Sequence, residues 1–141
     1  MANDAGDFAR SMSIATSGLK AQAGRMRVIS ENIANADSTA LTAGGDPYRR
    51  KIPTFSSELD RSLDAKVVTL GRVRPDPSAF RIRYEPNNPA ADAAGNVKYP
   101  NVNSVVEMTD MREAQRSYEA NLNIIAATRR MIQRTLDILK A

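Results

Sequence analysis

Hydrophobic residues recur at helical spacing through the first 36 residues of the chain. Gaps of three, four and seven residues separate the members of this seam, which are Phe8, Met12, Ala15, Leu19, Met26, Ile29 and Ile33. A heptad-like pattern of this kind predicts an amphipathic helix from about residue 5 to residue 36. Gly18 and Gly24 weaken that helix by about 1 kcal/mol each relative to alanine, and they permit close approach of another helix. We therefore expect tight packing and low stability of this helix on its own.

A second and cleaner seam runs along the C-terminal segment. Its members are Tyr118, Leu122, Ile125, Ile132, Leu136 and Leu139. Beside it runs a further apolar stripe formed by Ile124, Met131 and Ile138. The pattern predicts a helix from about residue 105 to residue 140, with Asn103 or Ser104 as its N-cap. Because a broad uncovered apolar face usually finds a partner, we expect association with itself or with other proteins.

Proline marks the segment between the two helices. All seven prolines lie between Pro47 and Pro100, and proline breaks helix interiors because it lacks an N–H donor. Strict alternation of apolar and basic residues predicts a half-buried strand over 80–84. Two more strands are predicted at 66–70 and 97–99, and a turn is predicted at 75–78. The stretches 37–47 and 86–96 are predicted to be loops.

These patterns together predict a mainly α fold. Long N- and C-terminal amphipathic helices pack as a coiled-coil-like pair, with a small β-hairpin and loop element between them. We expect the helices of residues 1–36 and 104–141 to form one helical assembly domain, and residues 37–103 to form the loops and the β element. Each helix would be about 50 Å long, which is typical of coiled coils and helical arrays.

The composition excludes several classes of function. The 141 residues include no histidine, no cysteine and no tryptophan. Catalytic sets built on histidine or cysteine are therefore excluded, as are zinc sites made of these residues, histidine-bound haem and cysteine-bound iron–sulfur clusters. No segment reaches the roughly 18 consecutive apolar residues that cross a bilayer. The acidic N-terminus lacks the features of a signal peptide, so we expect a cytoplasmic protein or one exported without cleavage.

The positive charge of the chain raises an alternative function. Basic residues outnumber acidic ones by 20 to 16, and the net charge of +4 is spread along the chain. The one dense run is Arg49-Arg50-Lys51, beside Tyr48. It suggests a coiled-coil nucleic-acid-binding or adaptor protein. We favour solvated surface charge, because a nucleic-acid binder usually concentrates its charge on one face.

Three acidic side chains at the start of the second helix suggest an enzyme with a metal site as a further alternative. Glu107, Asp110 and Glu113 lie within seven residues of one another. Arg112 and Arg116 lie beside them, so we interpret the acids as members of ion pairs on the helix surface. We expect no catalytic residue, no cofactor, no small-molecule substrate and no metal.

Two asparagines, Asn32 and Asn35, lie at the end of the first seam. Asparagine is an ordinary residue at the C-terminal end of a helix. A polar residue in a seam can also set the register of an assembled interface. Both interpretations remain open from the sequence.

Motifs at both ends of the chain resemble one protein family. The segment 30–37, Ser-Glu-Asn-Ile-Ala-Asn-Ala-Asp, is similar to the N-terminal signature of the rod and hook group of bacterial flagellar axial proteins. The run from Glu107 to Asn121 resembles the C-terminal signature of that group. The loop that ends in Gly45-Asp-Pro-Tyr-Arg-Arg-Lys51, the segment 89–103 and the short length narrow the resemblance to proximal-rod proteins of the FlgC type.

This resemblance implies a structural subunit of the bacterial flagellar basal-body rod, the shaft that transmits motor torque. Its terminal helices would form the inner layer of the shaft. Expected partners are copies of itself, other rod proteins, the rod-to-ring junction protein, the membrane ring and the flagellar type III export apparatus. Expected localisation is the periplasmic rod, reached without a cleaved signal peptide. The expected assembly interface comprises Leu19, Met26, Ile33, Asn32, Asn35, Tyr48, Arg49, Tyr118, Asn121, Leu122, Ile125, Ile132, Leu136 and Leu139.

Overall fold

Two long helices flank a segment of short strands. A computed structural model describes residues 2–140, with side chains from Gly6 onward. Helix α1 spans Ala2–Ala34 and helix α2 spans Ser104–Lys140. This arrangement confirms the predicted fold class, and the observed helix bounds lie within three residues of the predicted ones. None of the helices described is both long enough and apolar enough to cross a membrane.

Helix α2 begins at an asparagine cap. The side-chain oxygen of Asn103 accepts hydrogen bonds from the N–H groups of Val105 at 3.1 Å and Val106 at 3.4 Å. The first N–H groups of any helix lack partners within the helix, so this side chain satisfies two of them. Of the two predicted caps, Asn103 therefore performs the capping.

Within residues 2–140, six strands form three separate two-stranded antiparallel sheets. The pairs are β1 (Lys51–Ile52) with β4 (Arg74–Pro75), β2 (Phe55–Asp60) with β3 (Ala65–Leu70), and β5 (Arg81–Tyr84) with β6 (Asn96–Tyr99). The predicted strands at 66–70, 80–84 and 97–99 correspond to β3, β5 and β6. Strand β2 was not predicted, because Phe55-Ser-Ser-Glu-Leu-Asp is rich in residues that strands use sparingly.

The prediction that strand 80–84 is half-buried was wrong. All four residues of β5 are exposed, including Ile82 at 66% and Tyr84 at 71%. The buried side chains of this sheet come from β6, where Val97 and Tyr99 are buried. Arg81 lies opposite Tyr99, so the basic side chains of β5 share the face of the sheet that packs inward. The apolar residues of β5 therefore point outward.

The chain divides into two compact units, each built from parts of both helices. The first contains the chain up to Met26, the segment Thr54–Arg72 and the chain from Glu113 onward. The second contains Arg27–Pro53 and Val73–Arg112.

Small residues bring the elements of the first unit together. Ala15 and Ala21 of α1 and Ala114 of α2 are buried. Gly18 leaves room for the carboxamide of Asn121, since a Cβ atom at Gly18 would lie 2.9 Å from its nitrogen. Gly18 thus allows close approach of the two helices, as the sequence predicted.

The hairpin formed by β2 and β3 packs along α1 in the same unit. The N–H group of Val68 donates a hydrogen bond to the Ser17 hydroxyl at 3.2 Å. Leu70 lies so close to Gly24 that a Cβ atom there would be 2.7 Å from the leucine methyl group. Gly24 therefore allows close contact with strand β3 rather than with a helix.

The second unit has a small apolar core and a buried polar cluster. Ala90, Val97 and Tyr99 form the core, and Ala40 and Ala91 pack against it. Glu107 and Asn32 are among the largest side chains that are completely buried. Because burying polar groups costs free energy unless they are hydrogen-bonded, the bonds of this cluster decide whether the unit is stable.

Replacing Gly18 by valine tests the close packing in the first unit. The added side chain must displace the Asn121 carboxamide, and overpacking of this kind costs about 1–3 kcal/mol. We expect the free energy of unfolding of Gly18→Val, measured by urea denaturation, to fall by that amount relative to Gly6→Val. Gly6 is the matched control, because no described atom lies within 4 Å of a Cβ atom placed there. Equal losses in the two variants would contradict the proposed contact.

Candidate functional site

Several large apolar side chains of α2 are exposed. Of the α2 residues described in the first unit, only Ala114 and Thr128 are buried. The exposed apolar side chains define a surface that we name the C-terminal stripe, formed by Leu122, Ile124, Met131, Leu136, Ile138 and Leu139. Their exposed fractions range from 44% at Leu122 to 76% at Ile138. An apolar surface of this kind is typical of an interaction site.

The predicted interface residues differ in their exposure. Three of them, Leu122, Leu136 and Leu139, belong to the C-terminal stripe. Asn32 alone is fully buried. Half-buried positions account for the rest, which are Leu19, Met26, Ile33, Asn35, Tyr48, Arg49, Tyr118, Asn121, Ile125 and Ile132.

Asn32 is the centre of the buried polar cluster in the second unit. Its Oδ1 atom accepts hydrogen bonds from the Tyr48 hydroxyl at 2.8 Å and from the Lys51 N–H group at 2.9 Å. Its Nδ2 atom donates to the Lys51 carbonyl at 2.8 Å and to Glu107 Oε2 at 3.0 Å. A carboxamide can make about four hydrogen bonds, and here all of them are made within the chain. Asn32 therefore fixes the backbone at Lys51 in the way that a neighbouring strand would.

Asn35 takes part in the end of α1. Its side-chain nitrogen donates to the Glu31 carbonyl at 2.9 Å, and its backbone N–H group donates to the same oxygen at 3.1 Å. These bonds satisfy a carbonyl that the end of the helix would otherwise leave unpaired. The interpretation as an ordinary C-terminal helix residue therefore fits Asn35, whereas Asn32 has a more specific structural position.

A buried ion pair joins the start of α2 to the segment after the first loop. Arg50 Nε donates to Glu107 Oε1 at 2.6 Å, and only 1% of the Glu107 side chain is exposed. Arg50 also contacts Asp76 at 3.3 Å and Asp110 at 3.9 Å. Burial by itself would lower the pKa of Arg50, but the bonds and charges of Glu107 and Asp76 outweigh it and raise that pKa.

The interpretation of the three acids as surface ion-pair residues was wrong for Glu107, which is buried. Glu113 fits it, because its carboxylate is 69% exposed and lies 3.5 Å from Arg25. Among the residues that the structure describes, no group of three acidic side chains is placed so that it could hold a metal ion. The acids are held by Arg50 and Arg25, so no observation supports the metal-enzyme alternative.

The basic run is engaged within the second unit. Arg49 donates to the carbonyls of Asp76 at 2.9 Å and Ser78 at 3.0 Å, and its guanidinium lies 4.1 Å from the centre of the Phe80 ring. Lys51 forms an ion pair with Glu31. Because these side chains already make contacts within the unit, no observation favours the nucleic-acid alternative.

Asn101 and Asp76, to which the sequence assigned no role, complete the cluster around Arg50. Asn101 Oδ1 accepts from the Arg50 N–H group at 2.8 Å, and its nitrogen donates to the Ser78 carbonyl at 3.1 Å. The N–H and hydroxyl groups of Ser78, and then Arg50, hold the pKa of Asp76 below its usual range. The turn prediction at 75–78 located Asp76, but nothing in its spacing indicated that it faces Arg50.

Comparison with known proteins agrees with this architecture. A family model described as "Flagella basal body rod protein" matches residues 12–40, and one described as "Flagellar basal body rod FlgEFG protein C-terminal" matches residues 93–138. A flagellar basal-body rod protein FlgC of Agrobacterium fabrum is 54% identical over 128 residues, which cover 91% of this chain and 92% of that protein. The chain belongs to the FlgC family of flagellar basal-body rod proteins. This membership confirms the resemblance found in the sequence.

More distant FlgC proteins also align over nearly their whole length. The protein of Aquifex aeolicus is 36% identical over 95% of this chain and 98% of its own length. That of Bacillus subtilis is 37% identical over 92% of this chain and 97% of its own length. The segments matched by the family models contain Asn32 and Glu107, two residues of the buried polar cluster.

Removal of the Glu107 carboxylate tests the buried ion pair. Glu107→Ala leaves the charge of Arg50 partly buried without its closest partner, which costs about 3–5 kcal/mol. Glu113→Ala is the matched control, because it removes an exposed pair on the same helix that is worth at most about 1 kcal/mol. Urea denaturation followed by circular dichroism measures both. Similar stability of the two variants would contradict the role given to Glu107.

Ionisation of the Tyr48 hydroxyl is expected to lower the free energy of unfolding at alkaline pH. Burial raises the pKa of Tyr48 to about 12 from its usual value of 10, and the charges of Glu31 and Glu107 act in the same direction. A raised pKa means that its stabilising contribution is complete below pH 10 and is lost as the pH rises toward about 12. We expect Tyr48→Phe to be less stable than the unmodified chain at neutral pH, because Asn32 loses a hydrogen-bond donor. Between pH 10 and about pH 12 we expect the variant to lose less stability than the unmodified chain.

The measurement for Tyr48 is the free energy of unfolding at a series of pH values from neutral to strongly alkaline. Tyr84→Phe provides the control, since its ring is 71% exposed. The same pH dependence in Tyr48→Phe and in the unmodified chain would show that Tyr48 does not contribute.

Proposed function

We propose that the chain assembles through its terminal helices into the proximal part of the flagellar rod, as a structural subunit of the shaft that transmits motor torque. Membership of the FlgC family carries this proposal, and the uncovered C-terminal stripe supports it. A polymer subunit needs apolar surface that remains free until its neighbours arrive. A compact enzyme would bury such side chains in its own core.

Assembly of the C-terminal stripe supplies free energy that the isolated chain lacks. Full burial of one leucine or isoleucine side chain contributes about 1.5–3 kcal/mol. The six members of the stripe are each 44–76% exposed, so a large part of this contribution is made only on assembly. Ordering of the helices and burial of the stripe are thus coupled. Torque then passes through many interlocked helices rather than through any single bond.

The half-buried interface residues form the second part of the proposed assembly surface. On α2 they lie between the row of Leu122 and Leu136 and the row of Ile124, Met131 and Ile138. On α1 they belong to the seam, and Asn35, Tyr48 and Arg49 lie in the segment after that helix. Asn32 contributes indirectly, because its bonds to Tyr48 and Lys51 hold the end of α1 and the segment after the loop in one arrangement. The residues of 37–103 provide outer contacts.

Assembly in the rod implies a set of partners and a route. The partners are copies of this chain, other rod proteins, the rod-to-ring junction protein and the membrane ring. The flagellar type III export apparatus delivers the chain to the periplasm without a cleaved signal peptide. The role is structural and needs no catalysis, cofactor or nucleic acid.

Mass spectrometry of purified hook–basal-body particles tests this function. Particles from the source organism are washed in high salt and detergent before analysis. We expect this chain at a few copies per particle, alongside the other rod proteins. Its absence from particles that contain those proteins would refute the proposal.

Charged substitutions in the C-terminal stripe separate assembly from folding. Leu122 and Leu136 are 44% and 45% exposed, so aspartate at either position costs the free subunit little. In the rod the same charge would be buried without a partner, which costs several kcal/mol. We expect Leu122→Asp and Leu136→Asp to abolish incorporation and swimming, while Arg129→Ala is milder because arginine at a rim extends toward solvent.

The readouts are swimming on soft agar and the abundance of the variant in purified particles. Circular dichroism of each purified variant provides the control for folding. Normal swimming by either aspartate variant would show that the C-terminal stripe is not buried in the rod.

A further inference from the structure

Among the described strands, β2 and β5 combine an unpaired edge with mostly exposed side chains. Strand β2 pairs only with β3, and β5 pairs only with β6, among the residues that the structure describes. Phe55–Leu59 of β2 and all of β5 are exposed. Neither strand contains proline, and the charges that they carry, acidic in β2 and basic in β5, repel only a strand of like charge. Both edges are therefore open to an additional strand.

The backbone groups that point outward can be identified from the existing pairing. The N–H group of Gly71 donates to the Thr54 carbonyl at 2.7 Å, just before β2 begins. Inward and outward hydrogen bonding alternate along an antiparallel strand, so Ser57 and Leu59 direct their backbone groups outward. Just after β5, the Glu85 N–H group donates to the Gly95 carbonyl at 2.9 Å, so Glu85 points toward β6. By the same alternation, the backbone groups of Ile82 and Tyr84 point outward.

We propose that β2 of one copy of this chain pairs antiparallel with β5 of a second copy, with Leu59 opposite Ile82. The inference rests on the proposed function as a rod subunit and identifies one of its contacts. In this register Leu59–Ile82 and Ser57–Tyr84 are the pairs that exchange backbone hydrogen bonds. Residues between them form the pairs whose side chains lie closest, at a Cα separation of about 4.5 Å.

Charge complementarity selects this register and this partner. Between the hydrogen-bonded pairs, Glu58 lies opposite Arg83, and the next position places Asp60 opposite Arg81. Opposite charges on facing strands stabilise a sheet, and like charges destabilise it. Pairing β2 with another β2 around Leu59 would oppose Glu58 to Asp60, and pairing β5 with another β5 around Ile82 would oppose Arg81 to Arg83. The mixed pairing in this register opposes each acid to an arginine.

The two arginines are already held in position by their own unit. Arg81 donates to the carbonyls of Pro100 at 3.0 Å and Ala36 at 2.9 Å. The Arg83 guanidinium lies 4.8 Å from the centre of the Tyr99 ring. Less side-chain entropy is lost when a charge that is already positioned meets its partner. On the opposite face of the joined sheet, the exposed side chains of Leu59 and Ile82 cover each other.

The proposed contact is heterologous, because it joins two different surfaces of the same chain. Every copy offers one edge of each kind, so the contact can repeat from copy to copy. Contacts of this type generate rings or helical assemblies rather than closed pairs. A contact that repeats along a helical path is what a subunit of a cylindrical shaft requires.

Disulfide trapping tests the proposal, because the chain contains no cysteine of its own. Leu59→Cys and Ile82→Cys variants are produced together in one cell, and hook–basal-body particles are purified and mildly oxidised. Facing residues of a hydrogen-bonded pair have Cα atoms about 5.5 Å apart, within the range that a disulfide spans. The linked peptides are identified by mass spectrometry, and a 59–82 link between these single-cysteine chains is necessarily intermolecular.

Glu58→Cys combined with Ile82→Cys is the matched control. Position 58 is adjacent in the strand, but its side chain lies on the other face of the sheet. We expect the yield of the 59–82 link to exceed that of the 58–82 link by roughly tenfold or more, because pairing raises the effective concentration of facing thiols. Particles that contain both variants without a 59–82 excess would overturn the proposal and leave the rod assignment intact. Absence of the unmodified chain from particles would instead refute the rod assignment.

Charge reversal provides a second measurement that does not depend on cysteine chemistry. We expect Glu58→Arg and Arg83→Glu each to reduce the 59–82 link severalfold when added to the cysteine variants. The two reversals in one chain restore opposite charges at every copy-to-copy contact, so the link is expected to recover. Failure of the double reversal to recover, with all variants folded by circular dichroism, would contradict the proposed register.

Discussion

The complete burial of the Asn32 carboxamide and the Glu107 carboxylate constrains the second unit more than any other feature. Each would cost several kcal/mol if it were buried without partners. Asn32 therefore needs Tyr48 and both backbone groups of Lys51, and Glu107 needs Arg50. One arrangement of the end of α1, the following segment and the start of α2 satisfies all of these bonds. Polar burial thus gives this unit a specific structure that its small apolar core would not impose alone.

The first unit follows the opposite principle. Its helices and its hairpin meet through small residues such as Ala15 and Gly18, so the elements approach closely. The side chains of the C-terminal stripe remain 44–76% exposed. The polar cluster is therefore satisfied within the chain, whereas burial of the exposed apolar side chains can be completed only by neighbouring subunits. This division is consistent with a protein whose final structure is an assembly.

Sequence patterns predicted the helices well, because heptad spacing sustained from Phe8 to Ile33 and from Tyr118 to Leu139 is compatible with little besides an α-helix. Sequence patterns predicted the strands less completely. Strands β3 and β6 were predicted because they contain β-branched or aromatic residues. Strand β2 was missed because Phe55-Ser-Ser-Glu-Leu-Asp has little strand propensity and forms by pairing with β3. Alternation in β5 was detected, but alternation cannot show which face is buried. That depends on Val97 and Tyr99 of β6, which lie far along the chain.

The sequence by itself determined the two long helices, the irregular segment between them, the absence of histidine and cysteine chemistry, and the family. These properties are local or compositional, so neighbouring residues suffice to reveal them. Only the tertiary structure decided that Glu107 is buried rather than on the surface, that Arg49 and Lys51 have partners within the chain, and that Asn32 joins three segments. Those facts depend on residues up to 75 positions apart, as for Asn32 and Glu107, and chain spacing carries no information about such pairs.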